Sequence, residues 1–338
     1  MSMIPHSQNG RREVVVVTGA SAGVGRAVAR EFGRHGACVG LLARGDDGLE
    51  GARREIERLG GDAIIVPTDV VDHDQVEAAA RRIEERFGPI DIWVNNAMTT
   101  IFAPFHEISP EDYKRATEVT YLGFVWGTMA ALRRMRPANR GTIVQVGSAL
   151  AYRAIPLQAP YCGAKHAVRG FTDSIRCELM HDKSNVHITM VQLPAVNTPQ
   201  FDWCKSEMPN QPQPVPPIFQ PEVIAQGVYF AAHARRRELT IGWPALKAIW
   251  GNKFVPGLAD WYLAKTGYDG QQADQPVSPN RPANLYEPVP GDHGAHGRFD
   301  SRSSDFSIQS WLNQHRGALA ASALVGFAVA GMLTARDD

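Results

Sequence analysis

The chain is 338 residues long, 44% hydrophobic and 21% charged, and its 35 basic and 35 acidic side chains cancel. That length and apolar content exclude disorder as the main state and suffice for one large domain with an appendage. The balanced charge leaves no field to gather nucleic acid, and no dense basic run is interleaved with aromatics, so no nucleic-acid partner is expected.

Residues 1–12 are polar and carry Pro5, Asn9 and Gly10, unlike the continuous apolar stretch of a secretory signal, so they read as the tail of a cytoplasmic protein. From residue 13 onward, short apolar runs alternate with amphipathic stretches. Strands are predicted at 14–17, 38–43, 63–67, 90–95, 142–147, 186–193 and 239–241. Helical patterns lie at 24–35, 48–59, 74–87, 110–135, 159–181 and 221–234, the fourth opened by Ser109 as cap before Pro110. This alternation predicts an α/β fold, a doubly wound parallel seven-stranded sheet that binds ligands at the carboxyl ends of its strands.

Six prolines between residues 209 and 221 predict a loop. A single catalytic domain then spans 13–267, and residues 268–310, rich in Pro, Gly, Asp and Asn, read as a linker. Residues 311–338 form an apolar C-terminal extension. Within it, 318–335 runs about eighteen residues without a charge between Arg316 and Arg336, near the lower limit for spanning a bilayer. Membrane attachment through this segment is expected, with packing on protein as the alternative. Cys38, Cys162, Cys177 and Cys204 have neither disulfide nor Cys-x-x-Cys spacing and read as reduced thiols. The 11 histidines form no His-Glu-x-x-His, and no metal is expected.

Thr18-Gly19-Ala20-Ser21-Ala22-Gly23-Val24-Gly25 follows the first strand directly and opens a helix. Glycines there let the backbone approach a pyrophosphate, and the helix start offers free N–H groups and the positive end of its dipole. The second strand ends in Arg44, where an NAD enzyme carries an acid for the ribose 2′-hydroxyl. A guanidinium at that place suits the 2′-phosphate, so NADP is expected rather than NAD.

Gly147-Ser148 ends the fifth strand, and Tyr161 and Lys165, four apart, share one face of the next helix. A free tyrosine titrates near pH 10, so use as an acid or base at pH 7 asks for about 4 kcal/mol of differential stabilisation. Lys165 and the positive nicotinamide are its expected sources. Ser148 is placed to donate to a substrate oxygen as charge develops.

Together with Asp69-Val70, Asn95-Asn96-Ala97, Pro194 and Thr198, these motifs make residues 13–242 resemble the short-chain dehydrogenase/reductase family. The resemblance implies a Rossmann-type fold and hydride transfer between NADP(H) and a carbonyl or alcohol. It makes Tyr161 the acid/base, Lys165 also a holder of the nicotinamide ribose, and Ser148 the substrate-orienting group. Asp69 and Val70 would lie by the adenine, Asn96 and Ala97 beside the cofactor, and Pro194, Val196 and Thr198 over the carboxamide. A homo-oligomer is expected.

Three positions depart from the family pattern. Met98 stands for a glycine, Thr120 aligns with the catalytic asparagine, and Ala195 replaces the glycine after Pro194. Thr120 keeps a hydroxyl for an altered proton relay. Phe201, Trp203 and Phe219, around the proline-rich loop, point to a bulky apolar substrate. The same departures motivate the competing reading, a nucleotide-binding sensor or scaffold without turnover.

Overall fold

A computed structural model describes residues 11–317. β-Branched side chains lose rotamer freedom in a helix and fit a pleated sheet, and the valines of β1 (Val14–Thr18) are wholly buried in its interior. β2 (Cys38–Ala43) and β4 (Ile92–Asn95) flank β1, with β3 (Asp62–Pro67) beyond β2. β5 (Thr142–Val146), β6 (His187–Gln192) and β7 (Glu238–Thr240) continue the other side. The order β7-β6-β5-β4-β1-β2-β3 is parallel throughout, and the chain reverses its direction of growth between β1 and β4.

Alternation along β1 splits the core in two. Val15 and Val17 pack with α1 (Gly23–Arg34), α2 (Asp46–Arg58) and a helix at Pro221–His233. Val14, Val16 and Trp93 pack with α3 (His73–Phe87) and a helix at Gly123–Ala138. The approach is close where Gly40 has no side chain, since a Cβ there would lie 2.3 Å from Ile83 Cδ1.

The helix predicted over 110–135 is broken into α4 (Pro110–Thr117), one π turn at Glu118–Leu122, and α5 (Gly123–Ala138). α6 (Ala159–His181) and α7 (Pro221–His233) match the sequence patterns. Two helices not predicted follow β7, α8 (Trp243–Phe254) and α9 (Pro256–Thr266). Their sequences lack an amphipathic period because almost nothing in them is buried: Ala245 in α8 and no residue in α9.

The expected linker 268–310 is not a linker. Gln272–Pro276 pairs antiparallel with Asn210–Pro212, and Ser303–Ser304 adds to Ile218–Phe219, itself paired with Ala195–Val196. Leu285, Ala295 and Phe299 are buried anchors between irregular turns, a spacing that carries no period to read. The proline-rich stretch 209–221 is likewise stitched into these small sheets. A short helix, α10 (Ile308–Gln314), follows. The apolar segment 318–335 lies outside the described residues; among the described residues no helix is long and apolar enough to cross a membrane.

A buried amide joins the two central strands to α5. Asn95 Nδ2 donates to Gln145 Oε1 at 2.9 Å and Thr128 Oγ1 at 3.1 Å, while its Oδ1 accepts from Trp93 Nε1 at 2.8 Å. Asn95→Leu should cost about 2 kcal/mol by leaving the indole N–H and Gln145 short of partners. Urea unfolding measures it, and an unchanged midpoint would refute the role given to this amide.

Candidate active site

All seven strands end at one rim, and the loops leaving it line a single cleft of about 580 Å³. At its β1 end the backbone turns sharply, with Gly19 at φ 69° and Gly23 at φ 57°. A Cβ on Gly25 would lie 2.1 Å from the Gly19 carbonyl, so only glycine allows the loop to fold onto α1. α1 starts at Ala22 with no side-chain cap and no acid in its first turn. Its N-terminal N–H groups, apart from that of Gly23, which is taken by the Gly294 carbonyl, and its dipole are therefore available to an anion in the cleft.

Gly19, Ser21, Ala22, Gly23, Val24 and Gly25 all line the cleft. Thr18 does not. Its hydroxyl accepts from the N–H groups of Asn96 at 2.9 Å and Ala97 at 3.0 Å, and its carbonyl accepts from Asn96 Nδ2. Thr18 is a pin holding the next rim loop against the cradle. Asn96, Ala97 and Met98 form the adjoining wall.

Asp69 and Val70 continue the wall, and Asp69 is ion-paired with Arg115 at 2.6 Å. Arg44 also reaches the cleft, but its guanidinium donates to the carbonyls of Asn284 and Tyr286. These belong to a strap, residues 284–294, that crosses the cradle. Gly23 N–H donates to Gly294 O at 3.1 Å, Gly291 N–H donates to Asp47 Oδ2 at 3.0 Å, and Asp292 pairs with buried Arg26. Asn284, Pro288, Val289, Gly291 and His293 of the strap face the cleft. Nothing in the local sequence marks them, because their positions depend on partners about 240 residues earlier in the chain.

At the other end, Ser148 follows β5, and its Oγ accepts from Leu150 N–H at 3.1 Å, which orients the hydroxyl. Tyr161 and Lys165 lie one turn apart on α6 and line the cleft with it. Lys165 is 2% exposed; its Nζ donates to the Val146 carbonyl at 2.7 Å and sits 4.5 Å from the Phe124 ring centroid. Burial alone pushes its ammonium down to about 7. Burial drives the Tyr161 phenol well above its ordinary value, and the neighbouring Ser148 hydroxyl opposes that rise.

Pro194, Val196 and Thr198 line the cleft after β6. Ala195 sits in the short strand Ala195–Val196, outside the left-handed region, so the missing glycine costs the backbone nothing. Thr198 Oγ1 is buried with no hydrogen-bond partner among the described residues. That orphan hydroxyl, the uncapped helix start and the glycine cradle fit a dinucleotide.

Thr120 is engaged by the backbone of Thr99. Its hydroxyl donates to Thr99 O at 2.9 Å and accepts from Thr99 N–H at 3.0 Å, and it lies off the cleft wall. The amides near the catalytic end are Gln158 and Gln271 instead, joined by a 2.7 Å hydrogen bond. Phe201 and Trp203 line the cleft, whereas Phe219 packs in the core. Among the described residues, no group of His, Cys, Asp or Glu is placed to hold a metal.

The sign of the Lys165 effect on stability follows from its low value. Below pH 7 the folded and unfolded states both hold the proton, and the whole cost of burying the charge applies. Between about 7 and the ordinary 10.5 the unfolded chain binds more protons, so stability rises with pH. The melting temperature of the cofactor-free protein should climb over this window relative to Lys165→Met. Parallel curves would mean that the ammonium is not desolvated.

Residues 13–208 match the family model for short chain dehydrogenases. The Bacillus subtilis oxidoreductase YxnA is 33% identical over 83% of this chain and 80% of its own length. A 3-dehydrosphinganine reductase of Danio rerio is 32% identical over 55% of this chain, which spans only 57% of that protein. An alcohol dehydrogenase of the archaeon Thermococcus sibiricus, solved with 5-hydroxy-NADP, superposes with a TM-score of 0.60 at 28% identity. The match covers 68% of this chain and 96% of that one.

Proposed function

The chain belongs to the short-chain dehydrogenase/reductase family, and from that premise we propose an NADP(H)-dependent oxidoreductase that interconverts a bulky apolar carbonyl compound and its alcohol. The observation that carries this reading is that one cleft joins an uncapped helix start to Ser148, Tyr161 and Lys165. A bound dinucleotide would supply or accept the hydride. The cradle N–H groups other than that of Gly23 would hold its pyrophosphate, Asp69 and Val70 would flank the adenine, and Asn96, Ala97, Val196 and Thr198 would border the nicotinamide half. Arg44 would pair with the 2′-phosphate through the donors the strap leaves free, since β2 ends without an acid and Asp47 is turned to Gly291.

In reduction, the substrate oxygen lies between the hydroxyls of Ser148 and Tyr161. Ser148 donates a hydrogen bond as charge builds there, and Tyr161 delivers the proton. The Lys165 ammonium stabilises the resulting phenolate. Oxidation runs the same path backwards, with Tyr161 accepting the proton. Phe201, Trp203, Ala248 and Leu263 on the outer wall support an apolar substrate. The reductase and dehydrogenase named above carry the same general chemistry in their names.

Tyr161→Phe should lower kcat by at least about 100-fold, the usual worth of a positioned acid, while leaving the NADPH Kd within about twofold. Lys165→Ala should weaken both. Near-normal turnover by Tyr161→Phe would rule out the mechanism. One observation favours a sensor without turnover: the Thr120 hydroxyl is consumed by Thr99. Tight NADPH binding with no oxidation across a varied carbonyl panel would establish that reading instead.

Arg44→Asp should cut the preference for NADPH over NADH about tenfold or more, as expected for loss of a charge-assisted contact. Paired cofactor titrations measure it. An unchanged preference would place the discrimination elsewhere, and Ser21 is the next residue to replace.

A further inference from the structure

We infer that α8 and α9 form a docking surface for an anionic phospholipid bilayer at the mouth of the cleft. A helix on a protein surface ordinarily turns its polar side to water. Here Trp243, Trp250, Phe254, Leu258, Trp261 and Tyr262 are each more than half exposed. The two helices hold three of the chain's seven tryptophans. So large and continuous an apolar exposure marks an interaction site rather than ordinary surface.

Charge selects the partner. Lys247, Lys253 and Lys265 are exposed around this face. Its one acid, Asp260, is ion-paired with Arg153 at 2.6 Å. Lys253 Nζ lies 5.2 Å from the Trp250 ring centroid and Lys265 Nζ 4.1 Å from that of Trp261. Indole rings paired with ammonium groups suit the depth where acyl chains give way to phosphates. A basic apolar helix face is attracted to anionic lipid both by burial and by charge. A second copy of this chain is disfavoured, because a twofold contact across this face sets lysines against lysines.

The surface is continuous with the cleft. Ala245, Ala248, Tyr262, Leu263 and Thr266 of the same two helices line the cavity, and Tyr262 belongs to both. A lipid-dissolved ligand would pass from the bilayer to the cavity between these helices without crossing water. The docking surface does not rest on the reaction assigned to the cleft.

Binding of the full chain to phosphatidylcholine–phosphatidylglycerol vesicles brominated along their acyl chains tests the inference. Residues 318–338 contain no tryptophan, so bromine quenching of intrinsic fluorescence does not read that segment. The wild type should bind and be quenched. A chain with Trp243→Phe, Trp250→Phe and Trp261→Phe should still bind with most of the quenching lost. Lys247→Glu, Lys253→Glu and Lys265→Glu together should weaken binding at least tenfold, and plain phosphatidylcholine should bind little. Three outcomes would overturn the assignment: binding with unquenched tryptophans, binding indifferent to lysine reversal, or no vesicle binding by a dimer that the lysine or tryptophan changes dissociate.

Discussion

A parallel sheet constrains where chemistry can occur. Because all seven strands run the same way, their carboxyl ends share one rim, and every loop that leaves the rim enters the same space. Gly19 follows β1, Arg44 follows β2, Asn96 follows β4, Ser148 follows β5 and Pro194 follows β6. Groups nearly 180 residues apart are neighbours for this reason alone. The reversal between β1 and β4 splays the adjoining loops and opens the crevice there. Shifting one strand by a residue would turn its buried face to the wrong side and misplace the loop it carries.

Electrostatics at the catalytic end follow from burial. The Lys165 ammonium faces a carbonyl and two aromatic rings, with burial as the resolved cause of its lowered proton affinity. Tyr161, in the same environment, resists losing its proton. Each group alone is penalised for carrying charge. A phenolate formed beside the ammonium would relieve both penalties.

How much of this was legible depends on whether the information is local. The strands announced themselves by runs of β-branched residues, and the cradle and the Tyr161–Lys165 spacing are properties of adjacent residues. Thr18 and Thr120 are polar residues in the right places whose hydroxyls are taken by backbone groups of Asn96, Ala97 and Thr99. Sequence spacing cannot distinguish a hydroxyl aimed at a ligand from one aimed at a neighbouring loop. The stretch after residue 268 failed in the opposite way. Its order comes from isolated anchors such as Leu285 and Phe299 and from pairings with distant short strands, so its composition resembled that of a linker. α8 and α9 escaped notice because a helix without a buried side has no period to detect.

The strap also assigns the cleft a place in time. The cradle, the rim loops through Thr198 and the pair on α6 precede residue 200, and the last strand of the sheet ends at Thr240. The carbonyl groups that engage Arg44 and Gly23 belong to Asn284, Tyr286 and Gly294. During synthesis from the amino terminus, everything that defines the fold emerges before the wall that covers the cradle. A nascent chain therefore passes through a stage with its sheet complete and its nucleotide groove open along one side. A chain ending between Gly267 and Asn284 would retain that stage permanently, with Ser148, Tyr161 and Lys165 present and one wall of the groove never made.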